Sequence, residues 1–194
     1  MLPPEVESVE LEAGINGLKQ QLHQQLRASG YQVLILDQNS YDTIWNQEIA
    51  EVGGIYDSGT GALRRQAYLQ ALGHLVQRVS SETGAALVVR PQLVLRPAEL
   101  SGVSAVWDGQ QRRKLTKGAG DDTMRHDGTT VGLSVGISMF APSGEFVLST
   151  HGGASLPFRL NLETKRNEVR SDLFSNDKEI AEGVALALTP FHRA

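Results

Sequence analysis

The sequence predicts an α+β fold, in which a mixed or largely antiparallel sheet is covered by helices. Apolar residues recur at helical spacing in the first half of the chain and alternate with period two in much of the second half. Helices and strands that are grouped in this way, without strict alternation, are typical of the α+β class. The length of 194 residues is usual for one domain. We therefore predict a single α+β domain over residues 14–194, preceded by residues 1–13 as an N-terminal tether or a short strand.

Composition excludes several classes of protein. The chain is 40% hydrophobic and 21% charged, which is an ordinary globular composition. Its net charge of −4 argues against nucleic-acid binding, because phosphate neutralisation needs clustered lysine and arginine. The absence of cysteine excludes thiolate nucleophiles, disulfides and cysteine-based zinc sites. No cofactor motif is predicted, and no apolar run approaches the roughly 20 residues that a membrane helix requires.

Three helices and a buried strand are predicted in the first half. Apolar stripes over 15–26, 41–52 and 68–79 each occupy one helical face. Ser40 is the expected N-cap of the second helix. The continuous apolar run over 33–36 predicts a strand that is covered on both faces. Two glycines are expected to end the first and third helices: Gly30 and Gly84.

The second half is predicted to contain strands and one closing helix. Strict alternation over 130–139 predicts a strand with one apolar face and one face of small residues. Asp108-Gly109 is a strong signal for a hairpin turn. Residues 116–129 are predicted as a polar loop. Further strands are expected over 85–96, 103–107, 110–115, 146–148 and 156–162, and a helix from about Asn176.

One segment matches the G-x-S-x-G motif of serine hydrolases, namely Gly132 to Gly136 with Ser134 at its centre. That mechanism places the serine on a sharp strand-to-helix turn, with an acidic residue and then a histidine later in the chain. Ser134 instead lies in the most regular alternating segment, and Asp127 precedes it while His151 follows. We therefore predict that Ser134 lies in the middle of a strand and is not a nucleophile.

Carboxylates and one imidazole are concentrated between Asp121 and Asp127, with His126 among them. Such groups bind metals, but their spacing fits neither a calcium loop nor a zinc helix. We interpret this stretch as a solvated loop without a specific metal. A hydrolase that uses this loop or Ser134 is kept as the alternative function.

Two other segments have ordinary interpretations. Asp57 to Gly61 has the glycine content of a phosphate cradle but lacks its Lys-Ser/Thr, so we interpret it as a mobile loop with Thr60 as an N-cap. The basic cluster Arg112-Arg113-Lys114 is short and has no interleaved aromatic residues. A charged hairpin arm is therefore favoured over a nucleic-acid site.

The strongest candidates for a binding surface are Trp107-Asp108-Gly109 and the neighbouring basic residues. A core position is favoured for Trp107, and contact with a partner protein is the alternative. His151-Gly152-Gly153 contains a glycine pair, which permits a bulge or a close approach of another backbone. The predicted partner contacts are Trp107, Asp108, Arg112 and Arg113.

Several of these features together resemble a group of bacterial envelope proteins. They are Gly30 to Ile35 after a helix, Gly84 to Val89, Ala105 to Gly109, the hairpin around Ser143-Gly144, and Gly152-Gly153 before a closing helix. The pattern resembles small lipoprotein domains related to the TolB amino-terminal domain and the CsgG curli-secretion family. It covers most of residues 14–192.

The resemblance implies a non-enzymatic periplasmic domain, anchored to the outer membrane by a lipid, that binds other envelope proteins during assembly or export. It transfers no catalytic residue, metal or cofactor to this chain, and it is compatible with a homo-oligomer. The lipid-accepting cysteine of such proteins is absent, so a leader and that cysteine are expected upstream of Met1. A cytosolic binding module is the other alternative.

Overall fold

The computed structural model confirms the α+β class that the sequence predicts. It describes residues 1–113, 116–117, 127–161, 163–164, 166–175 and 177–193. Among these residues the α-helices are α1 (Ile15–Ala28), α2 (Gln38–Glu51), α3 (Arg65–Thr83) and α4 (Lys178–Leu188). Short 3-10 helices cover Val9–Gly14 and Thr189–Arg193.

The strands of the described residues form two sheets. They are β1 (Glu5–Val6), β2 (Val88–Ser101), β3 (Ser104–Trp107), β4 (Gln110–Arg113), β5 (Thr116–Lys117), β6 (Gly128–Phe140), β7 (Phe146–Ser155), β8 (Phe158–Asn161) and β9 (Arg166–Val169). The larger sheet has the order β4-β3-β2-β6-β7, and β1 pairs in parallel with β2. The smaller sheet has the order β5-β8-β9. The β2–β3 and β3–β4 pairs are antiparallel, as expected for a largely antiparallel sheet.

The chain divides into two compact units, each built from separate stretches of sequence. Unit 1 consists of Met1–Pro3, Val33–Arg90 and Ser138–Ser149. Unit 2 consists of Pro4–Gln32, Pro91–Ile137 and Thr150–Ala194. Three strands, β2, β6 and β7, contribute residues to both units. Within residues 1–13 the structure has the short strand β1.

Unit 1 has its core between α2, α3 and the strand residues beside them. Asp37, not the predicted Ser40, is the N-cap of α2: its backbone is extended, and its carboxylate accepts a 3.0 Å hydrogen bond from the Ser40 N–H. The prediction was wrong because the acidic residue three positions earlier satisfies the free N–H groups of the first turn. Gly84 ends α3 with a φ of +69°, as predicted. The buried cluster comprises Leu2, Tyr41, Ile44, Leu72, Leu75, Val76, Val79, Val88 and Phe140.

The predicted buried strand over 33–36 is wrong. These residues belong to neither sheet, and the side chains of Leu34 and Ile35 are 49% and 37% exposed. The reason is the position of Leu2, which is fully buried and donates its N–H to Val89 O over 2.8 Å. The segment over 33–36 is therefore hydrogen-bonded to Met1, and Leu2 is hydrogen-bonded to β2.

In unit 2, the residues of β6 from Gly132 to Ile137 are buried on both faces. Ser134 lies in the middle of this strand, which confirms that it is not on a strand-to-helix turn. α1 packs against α4, and the Gln25 side chain donates to Ala181 O over 2.9 Å. The apolar stripe of α1 is buried at Leu18, Leu22 and Leu26.

Candidate functional site

The two glycine-bearing motifs that the sequence singles out meet in unit 2. The Gly153 N–H on β7 donates to the backbone oxygen of Asp108 over 3.0 Å. A Cβ atom at Gly153 would lie 2.9 Å from the Trp107 indole nitrogen, so this residue must be small. The Trp107 indole donates to Leu133 O over 3.2 Å and its side chain is only 4% exposed. Trp107 is therefore a core residue.

Asp108 occupies the first position of a two-residue hairpin turn. Trp107 pairs with Gln110, so Asp108 and Gly109 alone connect β3 to β4, as predicted. Asp108 has a φ of +40° and is the one non-glycine with positive φ in the part of the chain that the structure describes. Gly109 follows with a φ of +76°. Two successive residues of positive φ match the type I′ turns that Asp-Gly favours.

The Asp108 carboxylate has two polar partners from neighbouring strands. Its Oδ2 atom accepts a 2.7 Å hydrogen bond from Arg96 Nε and another of 2.7 Å from Ser134 Oγ. The Asp108 side chain is 15% exposed, whereas Ser134 is fully buried. Hydrogen bonds to an ionised group are the stronger class, so this carboxylate fixes the turn between β3 and β4 onto β2 and β6.

His151 lies close enough to this cluster for its charge state to depend on it. Burial lowers the pKa of His151 below its ordinary value of 6.5, and the positive charge of Arg96 lowers it further. The Asp108 carboxylate acts in the opposite direction but does not outweigh them. The imidazole is therefore neutral at pH 7.

The arrangement around Ser134 differs from that of a serine nucleophile. Such a serine donates its proton to an imidazole, which is held in turn by a carboxylate. Here the Ser134 hydroxyl donates directly to the Asp108 carboxylate, which also holds Arg96. In this hydrogen bond no imidazole stands between the serine hydroxyl and the carboxylate. The geometry is that of a structural anchor for the hairpin.

The basic residues of the hairpin arm have different environments. Arg112 donates to Ala154 O on β7 over 3.0 Å and forms an ion pair with Glu182 of α4. Its charge is therefore used within unit 2. Arg113 is exposed at the end of β4. Of the four predicted partner contacts, Trp107 is buried and Asp108 and Arg112 have internal partners, so contact with another protein stays a prediction.

The Asp57 loop is held together by its own carboxylate. Asp57 Oδ1 accepts hydrogen bonds from the N–H groups of Gly59 and Thr60, over 3.1 Å and 2.8 Å, and from the Thr60 hydroxyl over 2.9 Å. These bonds lower the pKa of Asp57. The negative charge of Asp57 would repel a phosphate bound at this loop. Thr60 is not a helix N-cap as predicted, because α3 begins at Arg65 with Arg64 as its N-cap.

A group of potential metal ligands between α2 and α3 was not predicted. One ligand atom each of Glu48, Glu51 and His74 lies within 4.8 Å of the others. Glu48 is buried and already pairs with Arg78, over 3.3 Å, and with His74 Nδ1, over 3.5 Å. Arg78 supplies the positive charge that a cation would bring. The acidic stretch over 121–126, which the sequence predicts to be a solvated loop without a specific metal, lies outside the described residues.

An exposed apolar backbone edge in unit 1 was also missed. We call Val33–Asp37 the edge segment. The Met1 amino group donates to Leu34 O over 2.7 Å, and Leu36 N–H donates to Met1 O over 3.0 Å. Because backbone groups of alternate residues point to opposite sides of an extended chain, the N–H and C=O of Ile35 point away from Met1. They have no backbone partner among the residues that the structure describes.

Comparisons with known proteins add no relative to this picture. None of the helices formed by the described residues has the length and apolar character needed to cross a bilayer. The geometry of the chain's own residues is therefore the basis for assigning a function. No protein-family model, curated protein or solved structure shows a significant match to this chain.

Proposed function

We propose that this chain is a non-enzymatic domain of a bacterial envelope lipoprotein that binds protein partners during assembly or export. The edge segment carries this proposal. It combines exposed apolar side chains, Leu34 and Ile35, with backbone groups that have no partner among the described residues. An open edge of this kind is a template for pairing with a strand of another chain, and folded proteins normally cover or charge such edges.

The polar cluster around Asp108 supports a binding role over a hydrolytic one. Its serine and its arginine both donate to the same carboxylate oxygen, so the Ser134 hydroxyl proton is directed at a carboxylate and not at the imidazole of a serine hydrolase. Placement in the periplasm, with a lipid anchor in the outer membrane, is part of the proposal. It is supported by the resemblance of the sequence pattern to envelope lipoprotein domains.

Two experiments with the full-length gene test the proposal. The first is cell fractionation: we expect the product in the outer-membrane fraction, and we expect its release when a cysteine encoded upstream of Met1 is replaced. The second places a photo-crosslinking residue at position 35 in living cells. Discrete adducts with protein partners are expected there, whereas the matched exposed position Leu69 on α3 should give none.

The envelope assignment and the binding surface can each be rejected without the other. A full-length product that begins at Met1 and stays in the cytosol would reject the envelope assignment. Adducts at position 35 that are no more abundant than those at position 69 would reject the edge segment as the binding surface.

A further inference from the structure

We infer that Glu48, Glu51 and His74 bind a divalent transition-metal ion, with Zn²⁺ as the expected ion, between α2 and α3 of unit 1. The inference goes beyond the proposed function, because it concerns other residues than the edge segment and needs no protein partner. It is carried by three observations: the convergence of the three ligand atoms, the loose pairing of a buried carboxylate, and the charge balance around it.

The three side chains converge from two helices. Glu48 and Glu51 are three residues apart on α2, so they share one helical face, and His74 reaches them from α3. One carboxylate oxygen of each glutamate and one imidazole nitrogen lie within 4.8 Å of one another. Zinc holds such ligands at about 2.0–2.2 Å, which places two corners of its tetrahedron about 3.4 Å apart. Glu48 Oε2 and His74 Nδ1 are already 3.5 Å apart, and the exposed Glu51 side chain can rotate towards them.

The Glu48 carboxylate is buried, yet its partners are loose. Its side chain is only 6% exposed. Arg78 Nη1 lies 3.3 Å from Oε1 and His74 Nδ1 lies 3.5 Å from Oε2, whereas charge-assisted N–H···O bonds are normally about 2.7–2.9 Å long. The residues that the structure describes donate no hydrogen bond to Oε2. A buried charge is unfavourable unless it is closely paired, so a cation at bonding distance from Oε2 would stabilise it.

The charges around the cluster leave a deficit that a divalent cation would balance. Arg78 divides its guanidinium between Glu48 and Glu82, to which its Nε donates over 3.2 Å. Three carboxylates, those of Glu48, Glu51 and Glu82, therefore share one guanidinium, which leaves a net charge of −2. With the metal on Oε2, Arg78 stays on Oε1 as the outer partner that a ligating carboxylate usually has.

The end of α2 also favours a cation at this position. Both glutamates lie in the last turn of the helix, which contains no basic residue. The helix macrodipole places partial negative charge there, so carboxylates are unfavourable and a bound cation is favourable. Arg64 donates to the backbone oxygens of Gly53 and Gly54 beyond the helix, but it forms no ion pair with either glutamate.

The donor atoms select a transition metal over calcium and magnesium. Calcium and magnesium prefer sites made of oxygen ligands alone, whereas imidazole suits zinc, copper, iron and nickel. Zinc is commonly held by three protein ligands from histidine and carboxylate side chains, with a solvent molecule in the fourth position. The site therefore predicts a four-coordinate zinc ion with one open position.

Calorimetric titration of the metal-free, untagged protein tests the site. We expect one Zn²⁺ to bind per chain, and Ca²⁺ and Mg²⁺ to bind at least about tenfold more weakly, since they gain little from the imidazole. His74→Ala and Glu51→Ala should each weaken Zn²⁺ binding more than about tenfold, because the loss of even an outer partner costs 10–100-fold. The matched controls are His23→Ala on α1 and Glu12→Ala, at an exposed position, and both should leave the affinity unchanged.

Thermal unfolding gives a second readout that does not depend on the heat of binding. Excess Zn²⁺ should raise the unfolding midpoint of the unsubstituted protein, because it binds the folded chain. The shift should be lost in His74→Ala and kept in His23→Ala. Both substitutions are at partly exposed positions, and circular dichroism of the metal-free variants checks that they are folded.

Three results would overturn the inference. The first is the absence of Zn²⁺ binding by the unsubstituted protein. The second is Zn²⁺ binding that survives both His74→Ala and Glu51→Ala, because the ion would then be held by other residues. The third is equal affinity for Zn²⁺ and Ca²⁺, which would mean that the carboxylates attract cations by charge alone.

Discussion

Asp108 combines an unfavourable backbone conformation with a favourable side-chain position. Its φ of +40° lies in a region that costs a non-glycine residue on the order of 1 kcal/mol, although aspartate tolerates it better than most. The hydrogen bonds from Arg96 and Ser134 to its carboxylate offset that cost, because each bond to a charged group contributes about 1.5–3 kcal/mol. Glycine would relax the backbone but would leave Arg96 and the buried Ser134 hydroxyl without this acceptor.

His151 predicts how stability depends on pH. Its pKa is lowered in the folded protein by burial and by Arg96, so the unfolded chain binds a proton more readily than the folded one. Above pH 6.5, the ordinary pKa of histidine, His151 does not reduce the free energy of unfolding. As the pH falls below 6.5, the unfolded chain takes up the proton first, and the free energy of unfolding decreases. The slope is limited to about 1.4 kcal/mol per pH unit for one proton, and partial solvent exposure makes it smaller.

Urea unfolding between pH 5 and 8 measures this contribution. We expect His151→Gln to flatten the decline in the free energy of unfolding below pH 6.5, while His23→Gln on α1 leaves the decline as it is in the unsubstituted protein. An unchanged pH profile in His151→Gln would show that another group causes the decline.

At the scale of elements, α3 and the turn between β6 and β7 approach each other through two glycines of unit 1. A Cβ atom on Gly144 would lie 2.6 Å from Gly73 O, and Gly144 has a φ of +83°. A Cβ atom on Gly73 would lie 3.7 Å from Gly144 O, which is ordinary van der Waals contact. The same contact therefore excludes a side chain on the turn but allows one on the helix.

Alanine substitutions at these two positions should have opposite effects on stability. Gly144→Ala should lower the free energy of unfolding by about 2–4 kcal/mol, because it combines backbone strain with a clash against backbone. Gly73→Ala should raise it by roughly 0.5–1 kcal/mol, because alanine is the better helix former. Chemical denaturation followed by circular dichroism measures both, and a loss of stability in Gly73→Ala would contradict the contact geometry.

Arg170 holds the start of α4 in unit 2. Its nearly buried guanidinium forms a 3.2 Å ion pair with Glu179 and a bidentate pair with Asp172, over 3.1 Å and 3.0 Å. The guanidinium also donates a 2.8 Å hydrogen bond to the Ser155 hydroxyl oxygen. Removal of the arginine would leave the partly buried Glu179 carboxylate without its counter-charge.

We therefore expect Arg170→Met to lower the free energy of unfolding by roughly 2 kcal/mol. This is less than the 3–5 kcal/mol typical of breaking a fully buried pair, since Glu179 and Asp172 are partly exposed. Arg166→Met, at an exposed position of β9, is the matched control and should change stability by less than about 0.5 kcal/mol. Equal effects of the two substitutions in urea unfolding would exclude this role for Arg170.

At the scale of the whole molecule, local patterns predicted the class, the hairpin at Asp108-Gly109 and the mid-strand position of Ser134. Each of these depends on neighbours in sequence, through alternation or turn preference. The apolar run over 33–36 was predicted to lie in the core because a sequence pattern shows that a segment is apolar. The pattern does not show which other residues pack in the core. Leu2 is the fully buried residue that hydrogen-bonds to Val89, and nothing local to residues 33–36 could reveal this.

The candidate sites show the same limit. The sequence singled out Trp107-Asp108-Gly109 and His151-Gly152-Gly153 separately, but their contact depends on how β7 lies beside the hairpin turn. The proximity of Glu48 and His74 was not predicted because they lie on different helices, α2 and α3, and no sequence spacing connects them. The glycine pair gave the one usable signal: Gly152 allows close approach to α4, where a Cβ atom would lie 2.0 Å from Gly183 O.

The packing of α1 on α4 has a consequence for synthesis on the ribosome. The apolar stripe of α1, formed by Leu18, Leu22 and Leu26, is synthesised well before α4, the helix that packs against α1. Until α4 emerges, the nascent chain presents that stripe to the surrounding solution and to chaperones. Unit 2 can therefore close only after α4 has been synthesised, and a chain that stops before α4 should be a substrate for proteolysis.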